Sequence, residues 1–126
     1  MSKLALQPRQ AAEPVRADAD DMSGVLDLVH LSRQTMGEEA LESELLELFD
    51  RQAANAMERL SGPFGKRAEL AHMLKGSARA VGAFAVAEAA DRLETAIRSG
   101  REVEPRQADL IAALGAVRRT LSVLLA

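Results

Sequence analysis

The sequence predicts an all-α protein: an antiparallel, up-down-up-down four-helix bundle with a short additional N-terminal helix. Three observations predict it. Aromatic residues are only 2 % of the chain while apolar residues are 48 %, so the core must be built from Ala, Leu and Val with few of the aromatic and β-branched residues that favour sheets. Apolar positions recur every three or four residues through most of the chain, the period of one helix face. No alternating Val/Ile run competes with that period. At 126 residues the chain suits a single domain with one modest core.

Residues 1–21, "MSKLALQPRQAAEPVRADADD", carry two prolines and many charges without a period, and read as a flexible tail; residues 22–126 form the folded domain. "SGVLDLVHLSRQTMG" places Val25, Leu28 and Leu31 at helical spacing and stops at Gly37. "EEALESELLELFDRQAANAMERL" is a long amphipathic helix whose stripe is Leu41, Leu45, Leu48, Phe49, Gln52, Ala56 and Leu60. Gly62 and Pro63 end it. The next stretch, "AHMLKGSARAVGAFAVAEAADRLE", holds parts of two helices turning at Gly82, and Ser99-Gly100 close the second. After Pro105, suited to a first helical turn, Leu110, Leu114, Val117, Leu121 and Leu124 form the last stripe.

The bulk numbers exclude several functions. The chain has no cysteine, so disulfides, thiol chemistry and Cys-ligated zinc are out. Net charge is −3 with both signs interspersed, which recommends neither nucleic acid nor an anionic membrane as partner. No apolar run approaches the ~20 residues that span a bilayer, and no signal-peptide core is evident, so a cytoplasmic protein is expected. His30 and His72 lie far apart without metal-ligand spacing, so no metal site is expected.

His72 is the residue that asks for a function. On a helix over about 65–81, Leu70, Ala71, Leu74, Ala78 and Val81 form the buried stripe, and His72 projects about 160° away from Leu74. Glu69, Lys75, Gly76 and Arg79 share its polar face. Gly76 sacrifices about 1 kcal/mol of helix propensity in an Ala-rich segment, and its bare backbone lets another body approach the ring. Lys75 and Arg79 supply positive charge suited to a dianionic group. An exposed imidazole offers a free ring nitrogen as nucleophile, and attack through Nε2 requires the proton on Nδ1. The following segment has its stripe at Val86, Ala90, Leu93 and Ile97, leaving Asp91, Glu94 and Arg98 at its edge; a hairpin turning at Gly82 brings Glu94 back towards His72.

"HMLKGSARAVGAFAVAEAADRLE", His72 to Glu94, resembles the signature of histidine-containing phosphotransfer (Hpt) domains. His72, Leu74, Lys75, Gly76, Ser77, Ala78, Gly82, Ala83, Ala90, Leu93 and Glu94 occupy the family's matching places, and the upstream "LLELFDRQAANAMERL" is similar more loosely. The resemblance implies a four-helix phosphocarrier with no ATP-binding or autokinase activity. His72 would take a phosphoryl group from the aspartate of one response-regulator receiver domain and give it to another, in a two-component phosphorelay headed by a hybrid sensor histidine kinase. Lys75 would sit beside the phosphoryl group, Gly76 would clear the approach, and Glu94 would hold the ring through Nδ1. Mg²⁺ would come from the receiver partner, and this chain would hold no cofactor of its own. Docking is expected around the histidine, at Leu28, Leu31, Met36, Leu45 and Phe49 on the first two helices with Ala68, Glu69 and Arg79, and the chain is expected to be a monomer.

Two other readings were open. The histidine-kinase dimerisation hairpin also exposes a phosphorylated histidine, but its His-Glu-Leu-Arg-Thr-Pro pattern is absent. A plain helical interaction module with an incidental histidine would feature instead the cluster Glu38, Glu39, Glu42, Glu44 and Glu47, but that cluster reads as a solvated face and a favourable first turn.

Overall fold

The computed structural model describes residues 25–63 and 65–126; the expected tail at 1–21 lies outside them. Among the described residues there are five helices and no strand: α1 (Leu28–Gln34), α2 (Glu39–Leu60), α3 (Arg67–Val81), α4 (Phe84–Ser99) and α5 (Val103–Leu124). They form an all-helical bundle in which α2 and α4 each pack against both α3 and α5, and α1 lies on α3.

The helix ends follow from local chemistry. Asp27 starts α1 by accepting the His30 backbone N–H on Oδ1 at 3.0 Å, which makes this helix shorter than the Val25–Gly37 pattern suggests. Met36 (φ +54°) and Gly37 (φ +76°) then reverse the chain into α2. Thr35, buried at this corner, brings its hydroxyl to 3.0 Å from Glu42 Oε2 and so links the end of α1 to the first turn of α2. At the far end of α2, Gln107 of α5 donates to the Leu60 carbonyl at 2.8 Å and accepts from Arg67 of α3 at 2.6 Å. One glutamine thus ties three helix ends together.

Between α3 and α4 the connection is a single tight turn. Gly82 adopts φ +87°, and the Ala83 N–H reaches back to the Ala78 carbonyl at 2.8 Å, the pairing that closes a helix on a left-handed residue. The Asp27 N–H also donates to the Gly82 carbonyl at 2.9 Å. A Cβ on Gly82 would stand 2.6 Å from the Asp27 carbonyl oxygen, so the approach of the α1 segment depends on the missing side chain.

The core is aliphatic, with Phe49 as its largest fully buried side chain. The α3 stripe is as expected: Leu70, Ala71, Leu74, Ala78 and Val81 are all buried. On α4, Val86, Ala90 and Leu93 are buried, while Ile97 is only partly so. Small buried residues on facing helices, Ala71 and Ala78 on α3 with Ala87 and Ala90 on α4, allow close approach of the pair that carries the site.

The α2 stripe differs from expectation. Its buried residues are Leu46, Phe49, Ala53, Ala56 and Leu60, whereas Leu48 is 45 % exposed and Leu41, Leu45 and Gln52 are half-buried. Leucines occupy two adjacent rows of this helix, and the periodic pattern alone does not say which row turns inward. The alanines at 53 and 56 do, since they continue the row of Leu46 and Phe49 and let α2 sit close on its neighbours.

Candidate functional site

The α3–α4 hairpin places each residue of the site. His72 projects from α3 with 69 % of its side chain exposed. Across the turn, Glu94 on α4 is buried, only 4 % of its side chain reaching solvent, and its Oε2 lies 3.0 Å from His72 Nδ1. A carboxylate only accepts, so in the neutral ring Nδ1 carries the proton and Nε2 keeps its lone pair on the far side. The pairs 72/94 and 75/91 share one register about the turn: three residues forward along α3 match three residues back along α4.

Glu94 is the hub. Oε2 also accepts from Arg98 Nη2 at 2.7 Å, one turn further along α4, while Oε1 accepts from Lys75 Nζ at 3.0 Å. Lys75 donates in addition to Asp91 Oδ1 at 3.0 Å. These bonds decide the ionisation states. The Lys75 hydrogen bond holds the Glu94 carboxyl below its ordinary value against the opposing effect of burial, with Arg98 assisting. Lys75 likewise depresses Asp91, mainly by its hydrogen bond. The ammonium of Lys75 is pushed up, first by Glu94 and then by Asp91. Glu94, Asp91 and Lys75 are therefore charged at neutral pH, and with the permanent charge of the Arg98 guanidinium there are two of each sign.

The family resemblance implies a Lys75 beside the phosphoryl group; in the structure Lys75 turns inward, 18 % exposed and bonded to two carboxylates of α4. Arg98, 71 % exposed, is the cation that shares an open groove with His72, lined also by Ala68, Glu69 and Met73. The sequence leaves Arg98 and Asp91 at the edge of the α4 stripe. Their signals were present, an i,i+4 Glu-to-Arg pair and an acid in register with Lys75, but become meaningful only once the hairpin register is known. Gly76 is open as expected: a Cβ there would meet nothing within 4 Å.

The residues expected to dock a partner divide. Glu69 and Arg79 are exposed on α3, Ala68 and Leu45 are half-buried, and Leu28 and Met36 are 43 % and 94 % exposed. Leu31 and Phe49 require correction. Each is 1 % exposed and belongs to the core, so neither has surface to offer a partner. The apolar groove between α2 and α3 is lined instead by Leu45, Leu48, Gln52, Ser77 and Ala80, with Phe49 and Val81 beneath. His30 is half-buried, its ring edge-to-face with Phe84 at 5.0 Å, on a different helix from His72. No group of three or more potential ligands is arranged to hold a metal ion among the described residues.

The model of the Hpt domain family matches residues 38–121, two-thirds of the chain and all of the hairpin that carries His72 and Glu94. The chain belongs to the Hpt family. Hpt domains are helical bundles that serve histidine phosphotransfer in phosphorelays, where they meet receiver domains and histidine kinases. No curated protein and no solved structure gives a significant match to this Hpt domain. None of its described helices is long and apolar enough to cross a membrane.

Proposed function

We propose that this Hpt domain is a phosphocarrier in which His72 Nε2 receives a phosphoryl group from the aspartyl phosphate of one receiver domain and passes it to the aspartate of another. The observation that carries the reading is the pairing of an exposed imidazole with a buried, ionised carboxylate at Nδ1. An incidental surface histidine has no use for such a partner.

In the forward step the Nε2 lone pair attacks phosphorus, the P–N bond forms, and the P–O bond to the receiver aspartate breaks, releasing a carboxylate. The proton stays on Nδ1. The ring becomes cationic while the phosphoryl group carries two negative charges, and Glu94 lies against the nitrogen where positive charge develops. Arg98 is the side chain suited to the phosphoryl oxygens, and Gly76 leaves the approach open. The receiver supplies the acceptor carboxylate and Mg²⁺, and the domain itself has no autokinase role.

The same reading makes the four longer helices an up-down-up-down bundle: Asp50 pairs with Arg118 and Leu60 with Gln107, the register of opposed helices. It makes the protein a cytoplasmic monomer fed through a hybrid sensor histidine kinase. Incubation with a phosphorylated receiver should give an acid-labile, alkali-stable label on this chain. The His72→Gln variant should remain unlabelled, and a label that persists in it refutes the assignment.

A further inference from the structure

We infer that Asp91 is a positioning residue for the His72 reaction: together with Glu94 it anchors the Lys75 ammonium against α4, and so limits how much positive charge reaches a phosphoryl group on His72. This rests on His72 being the phosphoacceptor and adds a residue that acts through another.

Lys75 lies one turn beyond His72 on α3, near enough to be the obvious cation for that group. Yet its Nζ is 3.0 Å from Asp91 Oδ1 and 3.0 Å from Glu94 Oε1, so two of its three N–H donors are engaged away from the ring. Glu94 alone would not hold the ammonium there. Its other oxygen already serves His72 and Arg98, and the ammonium would be free to pivot about a single anchor. Asp91 supplies the second anchor. Three residues before Glu94 on α4, it presents its carboxylate on the same helix face, and with half of its side chain exposed it contributes little to the core.

The charges give the inference a sign. Lys75, Arg98, Asp91 and Glu94 sum to zero around the unmodified ring. Phosphorylation adds one net negative charge, the dianionic phosphoryl group less the cationic ring. Replacing Asp91 by Asn makes the surround one unit more positive and frees Lys75 to turn towards the phosphoryl oxygens. Both effects stabilise phosphohistidine relative to the receiver's aspartyl phosphate. At the dielectric of water, removing one charge at a separation of about 6 Å, the scale of one helix turn, corresponds to a shift of about threefold in the exchange equilibrium.

The test uses the full chain with a receiver domain that exchanges phosphoryl groups with it, charged with radiolabelled acetyl phosphate. Asp91→Asn should move the equilibrium partition of label about threefold towards this chain, and Asp91→Glu should restore the original partition. A residue that only aids folding or docking changes rates and leaves that ratio alone. Separately, NMR titration of the Lys75 ammonium should give a lower midpoint in Asp91→Asn than in the parent. An unchanged partition overturns the inference whatever the Lys75 midpoint does, and leaves the phosphocarrier reading intact. Label surviving His72→Gln would instead remove the reading on which it rests.

Discussion

His72 Nδ1 and Glu94 Oε2 stand 3.0 Å apart, a largely exposed ring joined to a carboxylate that is almost wholly buried. The asymmetry is useful. Burial holds the acceptor rigid, while exposure leaves the opposite ring nitrogen accessible to a partner. Three donors on one carboxylate offset the loss of its hydration.

Glu94→Ala should therefore affect both folding and transfer. Losing the acceptor shared by Lys75 and Arg98 loosens the α3–α4 pair and lowers stability, while losing the charge-assisted bond to Nδ1 slows phosphotransfer about ten- to a hundredfold. Glu94→Gln keeps an acceptor for the ring and should lose less of each. Chemical denaturation and single-turnover transfer measure the two effects; wild-type rates in Glu94→Ala would show that ring orientation does not matter.

Gly82→Ala should destabilise the protein by about 3 kcal/mol. The new side chain must adopt φ +87° and stands 2.6 Å from the Asp27 carbonyl oxygen, so α1 has to move off the α3–α4 turn. Denaturation gives the magnitude, and amide exchange should show protection lost first in α1. A change below 1 kcal/mol would mean that the contact is easily relieved.

Gly76→Ala should act in the opposite direction. Its Cβ meets nothing within 4 Å, so the gain in helix propensity stabilises by up to about 1 kcal/mol. Gly76→Gln should keep most of that gain but slow transfer from a receiver by steric obstruction. Normal transfer in Gly76→Gln would refute the role of that position in clearing the approach.

Phe49→Ala and Leu48→Ala should separate the two faces of α2. Phe49 is 1 % exposed, and its truncation should remove about 3–5 kcal/mol of stability. Leu48, at 45 % exposure, should lose under about 1 kcal/mol while weakening receiver binding. Equal stability losses would contradict the orientation of α2.

Stability should fall in acid through the site carboxylates. Glu94 and Asp91 are depressed from 4.5 and 3.8, so their contribution is complete above those values and disappears as pH drops through the lower folded-state values. Lys75 is raised from 10.5, so its contribution is complete below that pH and is lost as pH rises through the higher folded-state value. Urea denaturation between these limits should give a plateau as far as these groups are concerned. Glu94→Gln should flatten the acid limb, and an identical limb in that variant would show that other carboxylates dominate it.

The α3 and α5 stripes were legible in the sequence because each is a single row of apolar residues: Leu70 to Val81, and Leu110 to Leu121, are buried as their period requires, and only Leu124 at the end of the α5 row is half-buried. The α2 face was not, because two leucine rows compete and only packing against neighbours selects Leu46 and Ala53 over Leu45 and Leu48. Assigning Leu31 and Phe49 to a docking surface failed for a related reason. Hydrophobic spacing marks a residue as apolar but does not distinguish a core position from an interface position.

His72 and Gly76 could be placed on an open helical face from the sequence by itself, since outward projection is a property of one helix and its 100° step. The sharing of Lys75 between Asp91 and Glu94, and of Glu94 between His72 and Arg98, belongs to the tertiary structure alone. Those bonds depend on the register of one helix against another, which the left-handed turn at Gly82 and the small alanines between α3 and α4 determine in three dimensions.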